Sequence, residues 1–282
     1  MEIVEISEEN MDRFLALLGE DLSEDVKRVY FGGIGVLDDA DRPLGALIYE
    51  LLNADSDDDI EGKICFAASE KQEIFETLRN YYVETVVEEE EISKSSYELT
   101  EEASAKKFAE SGFSFEKKQS ETLRITLGEL AGCEIASKKK LPDYVTGIEN
   151  LSLAHYRDAV KAILFKDHKG VMEDIAYLPR NWFDGNVSSC IISGDKVPGL
   201  FLIRRTPSGT LIPALLFAYG PEFKKNLIYL MKYSVQKAIE NYPPETNVLI
   251  IRKDVGTKAL SEKIFPGKSG EEHYFGEERK SL

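Results

Sequence analysis

At 282 residues, 43% hydrophobic and 10% aromatic, the chain can bury one large core or two ordinary ones, which excludes a disordered protein. The formal net charge of −16 argues against nucleic acid as a partner, because phosphates need a basic footprint. The longest apolar stretch, LIPALLFAY (211–219), is short and holds a proline, and MEIVEISEENMDRF at the start has no basic or apolar signal region, so a cytoplasmic protein without a membrane partner is expected.

In chain order, ENMDRFLALLGEDL (9–22) reads as a helix. IGVLDDADRPLGALIYELL (34–52) follows as two apolar runs around a polar turn holding Asp41, Pro43 and Gly45, the pattern of an antiparallel pair. KICFAA (63–68) predicts a third strand. EKQEIFETLRNYYVETVV (70–87) predicts an amphipathic helix, with Ile74, Leu78, Tyr82 and Val86 at helical spacing. Glu88–Glu91 after it reads as a solvated end. SYELT (96–100) is a strand, and SAKKFAESGFSFEK (104–117) a helix with Ala105, Phe108 and Ala109 on one face. Gly112 stands where a left-handed C-cap is wanted, and Phe113 is placed to fold back on the last turn.

AGCEIASKKKLPD (131–143) lacks periodicity and ends in a basic run and Leu-Pro, so it reads as a linker. The expected division is an N-terminal domain over 1–132, a linker over 133–143 and a C-terminal domain over 144–282. The second half then repeats the order of the first. LAHYRDAVKAIL (153–164) is a helix, and SSCIISGDKVPGLFLIRR (188–205) a strand pair with Asp195, Pro198 and Gly199 in its turn. TLIPALLFAY (210–219) is the third strand. EFKKNLIYLMKYSVQKAIENY (222–242) is the long helix, with Leu227, Leu230, Met231, Val235 and Ile239 on its apolar face. TNVLIIRK (246–253) and GTKALSEKIF (256–265) close the repeat as strand and helix. The fold class expected is α/β (α+β), each half a mixed, mainly antiparallel sheet flanked by helices with one crossover helix.

This doubled order, with Ala105, Phe108, Gly112 and Phe113 at the end of a late helix, resembles the GNAT superfamily of acyl-CoA-dependent N-acyltransferases, here in tandem. The resemblance implies acetyl-CoA or another acyl-CoA as substrate and no metal. The pyrophosphate would lie on the N-terminus of the crossover helix and the pantetheine arm between two splayed strands. A backbone N–H would hold the thioester oxygen while a primary amine, on a small molecule or a peptide, attacks directly. A carboxylate would take the amine proton and a tyrosine would protonate the departing thiolate.

The family's glycine-rich phosphate loop is altered in both halves. AASEKQEIF (67–75) has no glycine and carries Glu70 and Glu73, which cap a helix well and would repel phosphate. AYGPEFKKNL (218–227) keeps Gly220 and adds Lys224 and Lys225, although Pro221 removes a donor and Phe223 adds bulk. The resemblance therefore places acyl-CoA on Phe217, Ala218, Tyr219, Gly220, Phe223, Lys224, Lys225 and Asn226. The tyrosine's place falls on or beside Phe108, which has no proton to give, and Tyr274 lies beyond the second equivalent helix. The alternative is a GNAT-like ligand-binding or protein-interaction module that lost the chemistry; an unrelated α+β protein with the same element order is a third reading.

Other motifs are assigned bland roles. Asp184, in LPRNWFDGN (178–186), is a candidate base or a turn former with Gly185. Trp182 and Phe183 beside it line a groove or plug a core. His155, His168 and His273 have no metal-ligand spacing. PGKSG (266–270) has Glu262 where a phosphate loop needs glycine, and NADSDDDIEG (53–62) has Ile60 where a calcium loop does. Cys65, Cys133 and Cys190 read as small buried hydrophobes.

Overall fold

The structure is a computed structural model and describes residues 1–54, 58–69, 71–137, 140–164, 175, 177–252 and 254–278. It divides into two compact units, Met1–Ser120 with Glu272–Leu282, and Glu121–Glu271. Unit 1 runs β1 (Glu2–Glu5), α1 (Met11–Asp25), β2 (Phe31–Leu37), β3 (Pro43–Leu52), β4 (Glu61–Ser69) and α2 (Gln72–Tyr81). A π turn over Tyr82–Val86 leads to α3 (Val87–Glu89), then β5 (Lys94–Leu99), α4 (Glu102–Glu110) and β6 (Glu116–Gln119). Unit 2 runs β7 (Thr122–Thr126), α5 (Leu127–Ala131), β8 (Val145–Gly147), α6 (Leu153–Leu164), β9 (Ser189–Ser193) and β10 (Lys196–Arg205). It continues as β11 (Leu211–Ala218), α7 (Phe223–Asn241), β12 (Asn247–Ile251) and α8 (Val255–Ile264), and the chain closes with β13 (Glu272–Glu277).

Each unit is one sheet. The orders are β1-β2-β3-β4-β5-β13-β6 and β7-β12-β11-β10-β9-β8. All neighbours are antiparallel except β4·β5 and β11·β12, the pairs joined by the crossover helices α2 and α7. The last strand of each half thus belongs to the other unit's sheet: β13 lies between β5 and β6, and β7 pairs with β12.

This exchange moves the boundary expected at 133–143. Unit 2 begins at Glu121, because Leu123 and Ile125 of β7 and Leu127 and Leu130 of α5 are buried in its core. A capping box between Thr126 and Glu129 starts α5. The expected linker is itself part of unit 2: Lys232 Nζ donates to Ser137 Oγ at 2.9 Å and Gln236 to its carbonyl at 3.1 Å.

The helical stripes pack largely as their spacing requires. Ile74, Phe75, Leu78, Tyr82 and Val86 are buried, as are Leu230, Met231, Val235 and Ala238; each buried Val, Leu, Ile, Phe or Met side chain among them contributes roughly 1.5–3 kcal/mol. Ile239, expected on the apolar face of α7, is 37% exposed. The first helix of the chain is broken at Gly19 (φ 71°), and β1 and β8 carry too few residues for alternation to announce them. Gly45 and Gly199 are strand residues, not turn residues. A Cβ on Gly45 would stand 3.1 Å from a Leu78 methyl, and one on Gly199 3.0 Å from a Leu230 methyl, so both glycines admit the crossover helix at the same point of the two sheets.

Candidate functional site

In each unit the strand before the crossover helix carries a bulge at the same place. Ile48 pairs with Phe66 and Tyr49 with Ile64, leaving Cys65 extra on β4. Leu202 pairs with Leu215 and Ile203 with Pro213, leaving Ala214 extra on β11. Bulges bend a strand and end pairing. Accordingly β4 and β5 pair from Glu61/Lys94 to Ile64/Tyr97, although β4 runs on to Ser69. Among the described residues β11 and β12 pair only at Leu211/Val248, although β11 runs on to Ala218. Both units therefore hold a wedge between parting parallel strands, aimed at the start of a helix.

Backbone groups released at such a wedge need new partners. In unit 1, α4 supplies them: Ser104 Oγ donates to Ala67 O at 2.7 Å, and Lys107 Nζ to Ser69 O at 3.0 Å. Behind these bonds the Phe108 ring, fully buried, lies 4.8 Å from Phe75 of α2, 5.3 Å from Tyr97 of β5 and 5.3 Å from Phe113. Tyr97 in turn donates its hydroxyl to Ser114 O at 2.8 Å, and burial raises its pKa. Gly112, at φ 102°, makes the turn that returns Phe113 onto α4, with Phe113 N bonded to Phe108 O at 3.1 Å. At the mouth, Ser69 Oγ caps Lys71 N at 3.2 Å and Glu73 is exposed; Glu70 lies outside the described residues. The wedge of unit 1 is filled with protein.

Unit 2 is built differently at the same positions. Among the described residues no side chain of α8 is hydrogen-bonded to β11. Thr257, near the start of α8, is held by Asp254 at the helix cap instead. The stretch leading into α7 brings the expected residues into one turn. Tyr219 N bonds Pro198 O at 2.9 Å, Gly220 takes φ 92°, and Phe223 N bonds Gly220 O at 3.2 Å. Asn226 N is used on Glu222 O, so Lys224 and Lys225 carry N–H groups that helix geometry leaves over. Lys225 pairs with Glu222 at 3.4 Å, and Lys224 Nζ lies 5.9 Å from the exposed Phe223 ring. Asn226 is 9% exposed and its buried Oδ1 has no partner. The Phe217 ring is packed in the core with Leu215 and Leu200, so Phe217 and Ala218 offer backbone, not side chains, to the wedge.

Asp184 is not part of this turn. Its carboxylate accepts from the Tyr242 hydroxyl and from Asn186 N (2.8 Å), at the far end of α7, whose 19 residues span about 28 Å. Burial and this carboxylate raise the Tyr242 pKa, and Arg205 lies 5.0 Å over its ring. Trp182 is half-buried under Arg204, 5.0 Å away, and Phe183 is core. His273 on β13 bonds Glu98 at 2.9 Å, and Lys63 bridges Glu98 (3.3 Å) and Glu50 (3.7 Å) on the same sheet. Burial opposes the ionised form of Glu98, but Lys63 and His273 outweigh it and lower its pKa. Tyr274 donates to Glu102 at 3.2 Å, also in unit 1, and His168 lies outside the described residues. Cys190 is buried and its thiol is pushed up to about 12 by that burial, whereas Cys65 and Cys133 are half-buried.

Among the described residues no group of three or more His, Cys, Asp or Glu side chains is placed to hold a metal, and no helix is long and apolar enough to cross a membrane. A cavity of about 370 Å³ lies between Lys140–Asp143 and the α7 residues Tyr233, Gln236 and Lys237. A second, about 150 Å³, lies between α6 and the β9–β10 hairpin and reaches Tyr219. Neither opens between β11 and β12.

The bulges, the lacing by Ser104 and Lys107 and the strand exchange escaped the sequence reading. One signal pointed to the exchange: two extended segments follow α4, whereas only one follows α8.

No protein-family model matches the chain, and no curated protein matches it by sequence. Its architecture, however, matches solved structures over almost its whole length. A tandem GNAT protein from the clavulanic acid biosynthesis pathway aligns with TM-score 0.63 at 12% identity, covering 100% of this chain and 99% of that one. L-PGS from Bacillus licheniformis aligns with TM-score 0.57 at 10% identity over 97% and 92%. A GCN5-related N-acetyltransferase from Sphaerobacter thermophilus aligns with TM-score 0.51 at 10% identity over 99% and 97%. The fold is a tandem GNAT-like one.

Proposed function

We propose that the chain is an N-acyltransferase that takes acetyl-CoA or a longer acyl-CoA into the wedge of unit 2 alone, and that a primary amine of a small molecule or peptide attacks the thioester directly. One observation carries this reading: α4 closes the unit 1 wedge by bonding Ala67 O and Ser69 O, and α8 makes no such bond to β11 among the described residues. The N–H groups of Lys224 and Lys225, with their ammonium groups, would receive the pyrophosphate at the positive end of α7. Backbone released along β11 would meet the pantetheine amides. In the reaction the amine nitrogen bonds to the acyl carbon, the C–S bond breaks, and its electron pair leaves with sulfur.

A thermal-shift titration with acetyl-CoA and longer acyl-CoAs tests the proposal. At a hundredfold excess over Kd the native state gains about 2.7 kcal/mol. Absence of any shift with every thioester defeats it. Lys224→Glu is expected to weaken binding and Lys71→Glu to leave it unchanged; the reverse would move the site to unit 1.

A second reading, a ligand-binding module without transfer, is favoured by Pro221 at the phosphate turn and by the apolar, buried Phe108. Thiol release from acetyl-CoA with a panel of primary amines separates the two. Binding without release would support the module.

A further inference from the structure

We propose that Lys232 and Ser137 bind the carboxylate of a small organic acid whose apolar body lies in the larger cavity beside α7. The site stands apart from the acyl-CoA reading above. Lys232 follows Phe223 by nine residues, which places it about 14 Å further along α7.

Lys232 is 9% exposed, and among the described residues its ammonium has one partner, the Ser137 hydroxyl at 2.9 Å. An ammonium taken out of water is disfavoured unless an anion compensates it. Lys63 of unit 1, which is also enclosed, shows the usual remedy, with Glu98 at 3.3 Å and Glu50 at 3.7 Å. The chain carries 51 acidic residues against 35 basic ones, so Lys232 does not go without a carboxylate because carboxylates are scarce. A ligand anion supplies the missing charge.

The chemistry of the pair selects a carboxylate. Ser137 Oγ accepts from Lys232 and so keeps its own proton to donate. An N–H and an O–H donor thus stand side by side, 2.9 Å apart, a spacing that suits the two oxygens of one carboxylate. Gln236 fixes the pair, since its Nε2 donates to Ser137 O at 3.1 Å. It lies one turn after Lys232 on the same face of α7 and also lines the cavity of about 370 Å³, which sets the pair at the cavity's edge.

The rest of the lining fits the body of such an acid. Leu141, Pro142 and Val145 face the Tyr233 ring across the cavity. The segment carrying them is tied down at both ends. Ser137 is held by α7, and beyond Pro142 the chain turns with Val145 N on Pro142 O at 3.1 Å and Ile192 N on Tyr144 O at 3.0 Å. The charged lining groups, Lys140 with Asp143 and Lys237 with Glu240, balance in sign, so the charge left over is that of Lys232. Among the described residues no arginine lines the cavity, which favours carboxylate over phosphate.

The test uses the full chain and benzoate, with benzamide as its neutral counterpart and sulfate as a rival anion, in calorimetric titrations. Benzoate is expected to bind with a Kd of about 1 mM, and benzamide and sulfate at least tenfold more weakly. Lys232→Met keeps the buried stem and removes the charge; it should weaken benzoate at least tenfold without a fall in Tm. Ser137→Ala, which leaves α7 untouched and carries the test should Lys232→Met not fold, should weaken benzoate three- to tenfold. Bound benzoate should slow hydrogen exchange in 140–145 and 232–240, and not in 217–226. Wild-type benzoate affinity in either variant, equal binding of benzamide, tighter binding of sulfate, or protection confined to 217–226 overturns the assignment. Failure of benzoate to bind also overturns it, and leaves the acyl-CoA titration to be judged by itself.

Discussion

Unit 1 and unit 2 part their parallel strands after a bulge at the same point, Cys65 in one and Ala214 in the other. In unit 1 the released carbonyls of β4 meet a serine and a lysine of α4, and four aromatic rings close the space behind them. In unit 2 no side chain of α8 bonds β11 among the described residues, Thr257 is held at the helix cap by Asp254, and the turn into α7 brings Lys224 and Lys225. The pair teaches that the two sheets keep the same bulge and the same parting point, while the side chains of the helix that follows decide whether the released carbonyls are bonded.

The comparison can be broken most severely at the exchanged strand. Deleting residues 272–282 removes β13 from between β5 and β6, and amide protection of both strands is expected to collapse while β12 and α7 stay protected. Hydrogen exchange resolves this by segment, and equal loss in both units would show that the two units do not unfold independently. Next in size, Phe108→Ala should cost about 3–5 kcal/mol in urea unfolding, because it empties a packed aromatic site. Ser261→Ala, which removes an unpaired buried hydroxyl, should change stability by less than about 1 kcal/mol. Similar losses for the two would mean that the Ser261 hydroxyl contributes to packing as a core side chain does.

Charge reversal at the two helix mouths sharpens the contrast. Lys224→Glu is expected to weaken acetyl-CoA binding about tenfold, roughly 1.4 kcal/mol, at low salt, and Lys71→Glu to have no effect. Calorimetry at two ionic strengths checks both. Ser104→Ala should then destabilise unit 1 by about 0.5–1.5 kcal/mol without altering ligand binding.

The smallest effect is one of pH. Glu98 is held below its ordinary carboxylate range in the folded chain, so its contribution is complete above the unfolded carboxylate pKa and is lost as pH falls through the lowered folded value. Because Glu98 anchors His273 of β13, acid should raise exchange in 272–277 more than in β7, which docks through Leu123 and Ile125. Glu98→Gln should remove that difference.

Periodicity alone located the helices 72–81, 153–164 and 223–241 closely, since an apolar stripe at 3.6-residue spacing has few other uses. The Gly112–Phe113 ending was equally legible, because a positive φ after a helix asks for glycine. The turn from Tyr219 to Asn226 was legible as a candidate through Gly220 and its lysines. Asp184 was legible as a turn former, accepting from Asn186 N at 2.8 Å, but its bond from the Tyr242 hydroxyl joins residues 58 apart and left no local trace.

The order of elements, their doubling and the apolar faces were set by the sequence, since these are local matters of spacing and turn chemistry. Which strand joins which sheet, where the parallel pairs part and which released carbonyls find a side-chain donor were decided only in three dimensions. Those outcomes depend on hydrogen bonds and ring contacts between residues far apart in the chain, such as Glu98 with His273, and no local pattern of residue types encodes them.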